Sequence, residues 1–220
     1  MFSIRLPFEV NDICDYYCDM SQPYFSKIIL DIFGSVLGII FLIPFLPFIA
    51  IAIKLDSKGP IFVRLPRVSR GRMVNVYKFR SMVPGAQNLK YNLVSSNERN
   101  DGPFFKIRND PRVTRVGKFL RKTRLDEFPQ LFNVLKGELA LVGPRPHEPE
   151  EIAKYPEEYR ELIESKAGVT GLSQVSGASS LPFLRELELD SYYIKNQSFV
   201  FDIKIIFKTV EIFFTDPTAV

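Results

Sequence analysis

The chain has no tryptophan, two cysteines and one histidine in 220 residues. Cys14 and Cys18 stand four apart near the N-terminus with no further Cys or His beside them. That spacing excludes a disulfide framework and makes a poor metal site, so they read as reduced thiols. The lone histidine, His147, has no evident partner in the sequence and is not assigned the role of a base. No Walker or dinucleotide-binding fingerprint occurs. A secretory signal is not evident either, because the apolar run starts late and no small-residue cleavage site follows it. The basic segments lack interleaved aromatic readers, which argues against a nucleic-acid partner. Finally, no charged residue occurs from Ile32 to Ile53.

What remains is apolar and mildly basic. Hydrophobic residues make up 46% of the chain, with 20 Phe, and the net charge is +4. This pairing suits work on a membrane surface or on phosphate-bearing substrates. The length allows one domain with a real core. Charge is unevenly spread. Residues 54–80 hold eight Lys/Arg and only Asp56, and residues 106–124 hold eight more with only Asp110. Residues 147–164 reverse the sign with seven Glu.

The uncharged stretch IFGSVLGIIFLIPFLPFIAIAI is long enough to cross a bilayer as a helix. Pro44 and Pro47 interrupt it, so a bend is expected, and a helix–break–helix entering and leaving on one face is one solution. Lys27, Asp31 and Lys54 mark its ends. Basic residues after it place 55–220 in the cytoplasm. The predicted organisation is a tail (1–24), a membrane segment (25–54) and a cytoplasmic domain (55–220).

Beyond the membrane segment, IFVRLPRV and MVNVYKF flank SRGR, a hairpin signal with Gly71 in the turn and Pro66 on an edge strand. Such a basic hairpin is either a solvated cationic surface or a device presenting Lys78 and Arg80 to a phosphate. Residues 84–105 read as a loop with one helical turn. VGKFLRK has helical spacing, and FPQLFNVLKGE reads as a helix with Pro129 in its first turn and Gly137 as its stop. Asp126 and Glu127 of LDEFPQ therefore fall at a helix start. There the dipole and Arg121, Lys122 and Arg124 should favour ionised carboxylates. Two readings stand for the pair: a stabilising helix start, or a nucleophile or metal ligand. GPRP (143–146) holds Arg145 on a stiff loop, either a phosphate clamp or a proline-braced turn. The acidic run EEIAKYPEEYRELIESK reads as one solvated helix, and GVTGLSQVSG as a glycine loop able to approach a ligand. The C-terminal stretch from Phe183 to Phe214 reads as amphipathic and interfacial.

Taken in order, the motifs KLDSKGPIF, YKFRSM, NDPRVTRVGKFLRKTRLDEFPQLFNVLKGE, LVGPRP, GVTGLSQV and LDSYYIKNQSFVFDIKI resemble the bacterial sugar transferases. These are monotopic phosphoglycosyl transferases, and the likeness runs from about residue 25 to 214, in the minimal single-domain form. The resemblance implies transfer of a sugar-1-phosphate from a UDP-sugar to a polyprenol phosphate, with release of UMP. It implies Asp126 as nucleophile, forming an acyl phosphate, Glu127 as its partner in proton handling, and Mg2+ near Asp126. It further implies Lys78, Arg80, Arg121, Arg145 and Gln174 as substrate-binding residues, and a re-entrant membrane helix broken near Pro44. The implied place is the bacterial inner membrane, with the catalytic domain on its cytoplasmic face; a homo-oligomer is left open. The chain departs from the usual family pattern at Ala167, Ser173 and Ala178.

The expected fold is α+β and mainly helical. It combines a re-entrant membrane helix, a basic β-hairpin and interfacial amphipathic helices around one cytoplasmic domain. The competing reading is a non-enzymatic membrane-anchored module whose basic segments bind anionic lipid or an assembly partner.

Overall fold

The computed structural model describes residues 25–177 and 180–215, so Cys14, Cys18 and Ala178 lie outside the described residues. It is mainly helical with two small sheets. Helix α1 (Phe25–Leu42) buries Lys27, Asp31 and Ser35, one helical turn apart, and turns Ile32, Phe33, Val36, Leu37 and Ile40 outward. Its polar stripe therefore faces protein and its apolar face is open, the reverse of a soluble surface helix. A 3-10 turn, Ile43–Phe45, interrupts the α ladder at Pro44, whose missing N–H cannot continue it. Helix α2 (Leu46–Asp56) resumes with Pro47 in its first turn.

Strands β1 (Phe62–Ser69) and β2 (Arg72–Phe79) form an antiparallel hairpin, with Pro66 opposite Asn75. Arg70 and Gly71 both take positive φ, 51° and 64°, as a two-residue hairpin turn with right-handed strand twist requires. Helix α3 (Arg115–Lys122) is capped by Thr114, whose hydroxyl accepts from the Gly117 N–H at 3.0 Å. Gly117 is needed there, since a Cβ would stand 1.9 Å from the Ser81 carbonyl oxygen. Leu42, Ile49 and Ile53 pack with Phe79 and Leu120, so the membrane segment, hairpin and α3 share one core.

Helix α4 (Gln130–Leu135) leads into β3 (Ala140–Val142), which pairs in parallel with β4 (Gly168–Thr170). The short α5 (Leu172–Val175) precedes α6 (Phe183–Asn196) and α7 (Phe199–Thr215). Three expectations are corrected here. The segment 84–105 contains two short helical turns, 86–89 and 91–96, rather than one. The acidic run is not one helix but three short pieces, broken around Pro156, with Tyr155 and Leu162 packed on Phe104 and Phe183. The glycines of GVTG serve close chain approach rather than an open loop: a Cβ on Gly171 would stand 2.1 Å from the Gly143 carbonyl oxygen.

The C-terminal stretch divides at Gln197, whose ψ of 134° leaves the helical region. Helix α6 is a core element, burying Glu186, Leu187, Asp190 and Tyr193. Helix α7 buries Asp202 and Ile205 and exposes Phe199, Val200, Phe207, Val210 and Phe214.

Candidate active site

Asp126 and Glu127 share a 3-10 turn, Leu125–Glu127, between α3 and α4. The anticipated helix start is therefore a separate, tighter turn. The Glu127 N–H donates to the Arg124 carbonyl and that of Phe128 to Leu125, both at 3.2 Å. Arg124 enters the turn at φ 52°, a left-handed conformation that a side-chain-bearing residue adopts at some cost. It reverses the chain out of α3, so the two carboxylates follow directly on the cationic helix.

The two acids meet opposite environments. Burial pushes the Asp126 carboxyl up to about 6, and the Glu127 charge adds to this against Lys78 and Arg121. The expectation that dipole and cations would keep Asp126 strongly ionised is thus reversed. A three-residue turn has little dipole, and desolvation of a side chain 7% exposed outweighs the cations. For Glu127, burial also raises the pKa, but Lys78, Arg145 and Arg124 outweigh it and hold the carboxyl below its usual range. Lys78 Nζ pairs directly with Glu127 Oε1. Two titratable groups driven apart in this way are suited to different roles in one reaction.

The other cations come from separate elements. Arg121 on α3 donates through Nε to Ser81 Oγ at 3.0 Å and acts electrostatically on Asp126. It lines an open cleft of about 360 Å³ with Arg108, Lys118, Phe119 and Lys122. Arg145 is positioned by α6. Its backbone N–H donates to Asp190 Oδ2 at 3.0 Å, and its Nε lies 3.8 Å from Glu186 Oε1. Burial opposes its charge, yet Glu186, Glu127, Glu151 and Asp190 together raise its pKa further. Lys78, Arg121 and Arg145 thus act on the dyad from β2, α3 and the GPRP loop.

Arg80 and Gln174 have other engagements. The Arg80 guanidinium donates to the carbonyls of Ile53, Ser57 and Lys58 at 3.1, 2.6 and 2.9 Å, closing the end of α2. Gln174 on α5 donates to the Val169 carbonyl at 3.1 Å, bracing β4. Sequence reasoning missed Arg67, half-buried on β1 3.3 Å from Glu148 and within the field of Glu127. It also missed Asp190 and Glu186, two acids four apart on the buried face of a helix that also carries Arg185, Glu188 and Lys195. His147 does have partners: it is buried, stacked on Phe104 at 4.9 Å, with Nδ1 3.4 Å from Glu151. Ala167 packs in a core with Val76, Val134 and Leu139, and Ser173 is fully buried, so both departures from the usual pattern are interior positions.

Among the described residues, no group of three or more His, Cys, Asp or Glu could by itself hold a metal ion. The dyad offers two carboxylates. Phe25–Asp56 is long and apolar enough to cross a membrane, and only 17% of its most apolar window is buried in protein. A core helix of a soluble protein would bury most of that surface, so the segment has the character of a membrane-associated element.

Comparison with known proteins settles the class. The bacterial sugar transferase family matches residues 22–216, and the chain belongs to it. Among relatives, the undecaprenyl-phosphate galactose phosphotransferase of Salmonella typhimurium is 40% identical over 192 residues, 86% of this chain and 40% of that protein. The UDP-glucose:undecaprenyl-phosphate glucose-1-phosphate transferase of Escherichia coli is 40% identical over 82% of this chain and 38% of its own. The UDP-N-acetylgalactosamine-undecaprenyl-phosphate N-acetylgalactosaminephosphotransferase of Aeromonas hydrophila is 38% identical over 87% and 44%. The chain spans about two fifths of the length of these relatives.

Proposed function

We propose that the protein transfers a sugar-1-phosphate from a UDP-sugar to a polyprenol phosphate, undecaprenyl phosphate by likeness to its relatives, and releases UMP. The observation that carries this reading is the Asp126–Glu127 pair, one acid buried and one salt-bridged, faced by cations from three elements. An Asp126 carboxyl with a pKa near 6 is mostly ionised at neutral pH and poorly solvated, which makes it a competent nucleophile.

In the first step an Asp126 oxygen attacks the β-phosphorus of the donor. The bond from that phosphorus to the bridging oxygen breaks, and UMP leaves with the electron pair. In the second step an oxygen of the lipid phosphate attacks the same phosphorus and Asp126 departs, giving a polyprenyl diphosphate sugar. Glu127, held ionised by Lys78, accepts or shields a proton of the incoming phosphate. Lys78, Arg121 and Arg145 balance the charge on the transferred group. Mg2+ fits a site of this kind, because it binds through one or two carboxylates and substrate phosphates and keeps its remaining waters. Asp126 would hold it together with the donor diphosphate, and it would neutralise charge on the leaving group.

The membrane segment is read as re-entrant, with the site on the cytoplasmic face. Lys27 Nζ near one end bonds Asp202 and the Val142 carbonyl, while Ile53 and Ser57 near the other are bonded by Arg80. A straight helix of 32 residues would run about 48 Å and carry its ends apart, whereas residues near both ends here bond to the rest of the protein, which supports the re-entrant reading. The relatives' names differ in the sugar at nearly equal identity, so identity alone does not select the donor.

The test is UMP release from a panel of UDP-sugars with polyprenol phosphate and Mg2+, in wild type and Asp126→Asn. The expected outcome is release with at least one donor, falling about 10⁴-fold in the variant. Release retained by Asp126→Asn would overturn the mechanism.

A further inference from the structure

Asn133 is the residue that ties the dyad's helix to the strand carrying Lys78. It lies on α4, six residues after Glu127, and is fully buried. Its Oδ1 accepts from the Tyr77 N–H at 3.0 Å, and its Nδ2 donates to the Asn75 carbonyl at 2.8 Å and to Glu138 Oε2 at 2.5 Å. The Asn133 carbonyl in turn accepts from the N–H groups of Glu138 and Leu139 at 2.9 and 3.3 Å. A carboxamide has two donor hydrogens and one acceptor oxygen, and all are engaged here.

The location gives these bonds their purpose. Asn75 N–H and C=O face one edge of β2 or the other by alternation, and residues 75 and 77 present the edge away from β1. The Asn133 carboxamide occupies that edge as a second strand would, accepting at Tyr77 and donating at Asn75. The next residue along β2 is Lys78, whose ammonium pairs with Glu127. The connections form a closed ring: Glu127 to Asn133 through the helix, Asn133 to Tyr77 through the edge bond, Tyr77 to Lys78 through the chain, and Lys78 back to Glu127.

We propose that Asn133 is a positioning residue for the reaction, fixing the register between β2 and the catalytic turn so that Lys78 is held on Glu127. The inference rests on the proposed function for its catalytic purpose, though not for its geometry. Asn133 touches neither donor nor acceptor; it acts through Lys78. A side chain that cannot bridge Tyr77 and Asn75 leaves the edge of β2 unpaired and lets the hairpin move against α4. Displacements of about 1 Å at a catalytic group are enough to cost orders of magnitude in rate.

Two measurements test this on the full chain in membrane nanodiscs. The first is a zero-length carbodiimide cross-link between Lys78 and Glu127, quantified by mass spectrometry. Asn133→Ala should lower its yield about fivefold, while the remote Lys208–Glu211 pair, 3.0 Å apart, is unchanged. The second is a double-mutant cycle on UMP release. Asn133→Ala should cost about tenfold or more in kcat/KM with Lys78 present, and less than about threefold in a Lys78→Ala background. Should Asn133→Ala fail to fold, Asn133→Ser leaves a small neutral hydroxyl that cannot span Tyr77 and Asn75 and should show the same pattern. An unchanged cross-link, or equal losses with and without Lys78, overturns the inference. A lowered cross-link without any Asp126-dependent UMP release would instead overturn the proposed function and leave the placement of Lys78 by Asn133 standing.

Discussion

Two buried ionic clusters in this chain look alike in a list of contacts and differ in kind. At the start of α1, Lys27 Nζ bonds Asp202 Oδ2 at 2.7 Å, the Val142 carbonyl at 2.8 Å and Tyr193 Oη at 3.1 Å. Tyr193 also donates to Asp202 Oδ1 at 2.7 Å. The three ammonium hydrogens all have acceptors, Asp202 is fully buried, and the neighbouring Asp31 lies in the field of Lys27 and pairs with Lys166 at 3.6 Å. At the catalytic turn two adjacent carboxylates face Lys78, Arg121, Arg124 and Arg145, and the Lys78 and Glu127 side chains remain 23% and 34% exposed. The first cluster is balanced and closed, which suits an anchor. The second has surplus positive charge and an opening, which suits the binding of a phosphate. Buried charge alone does not mark a site; imbalance with access does.

The largest effect should come from breaking the closed cluster. Asp202→Ala removes the carboxylate paired with the buried Lys27 ammonium and should destabilise the fold by about 3–5 kcal/mol, read as a fall in thermal midpoint in nanodiscs. A Lys27→Met, Asp202→Leu pair should recover most of that loss. Glu127→Gln, at the open cluster, should change stability by less than about 1 kcal/mol yet lower UMP release about 100-fold or more. If Glu127→Gln destabilised as much as Asp202→Ala, the distinction between anchor and site would collapse.

A smaller effect sharpens the comparison through pH. The Asp126 carboxyl rises from 3.8 to about 6 on folding, so between those values the folded state binds the extra proton. Stability therefore falls as pH rises through that window, and the cost is complete above it. Asp126→Asn should match wild type near pH 4 and exceed it at pH 7 by on the order of 3 kcal/mol. Glu127 contributes with the opposite sign: its lowered pKa adds stability at neutral pH that is lost as pH falls through the folded value. Thermal melts of both proteins from pH 4 to 7.5 check the sign, and parallel curves would remove the buried-acid account. Activity should rise around pH 6, where Asp126 ionises in the folded protein.

Much of the site was legible because its signals are local. LDEFPQ and GPRP place charges on short, proline-stiffened stretches, and the hairpin is announced by SRGR between β-forming runs. What failed depended on distant partners. The direction of the Asp126 shift is set by burial between elements, which no hexapeptide displays. The acidic run 150–166 looked solvated because its charges are plain in sequence, whereas its Tyr155 and Leu162 are claimed by Phe104 and Phe183 from elsewhere. The GVTG glycines looked ligand-facing because the Gly143 backbone, their actual neighbour, lies 25 residues or more upstream.

Arg80 shows the same limit in one residue and gives the smallest of the expected effects. Period-two alternation puts it on a face with Lys78, but β2 ends at Phe79, and the guanidinium turns to the carbonyls of Ile53 in the last turn of α2 and of Ser57 and Lys58 just past it. Helix ends leave carbonyls short of donors, and a planar multi-donor head reaches one carbonyl of the last turn and two just beyond it at once. Arg80→Lys keeps the charge but not the fork. It should cost about 1–2 kcal/mol of stability and change the KM for the UDP-sugar by less than about threefold. Lys78→Ala, two residues earlier, should do the reverse, lowering kcat/KM about 100-fold with little change in the melt. A raised donor KM for Arg80→Lys at an unchanged melting temperature would return Arg80 to the phosphate-binding set and make the end of α2 part of the site.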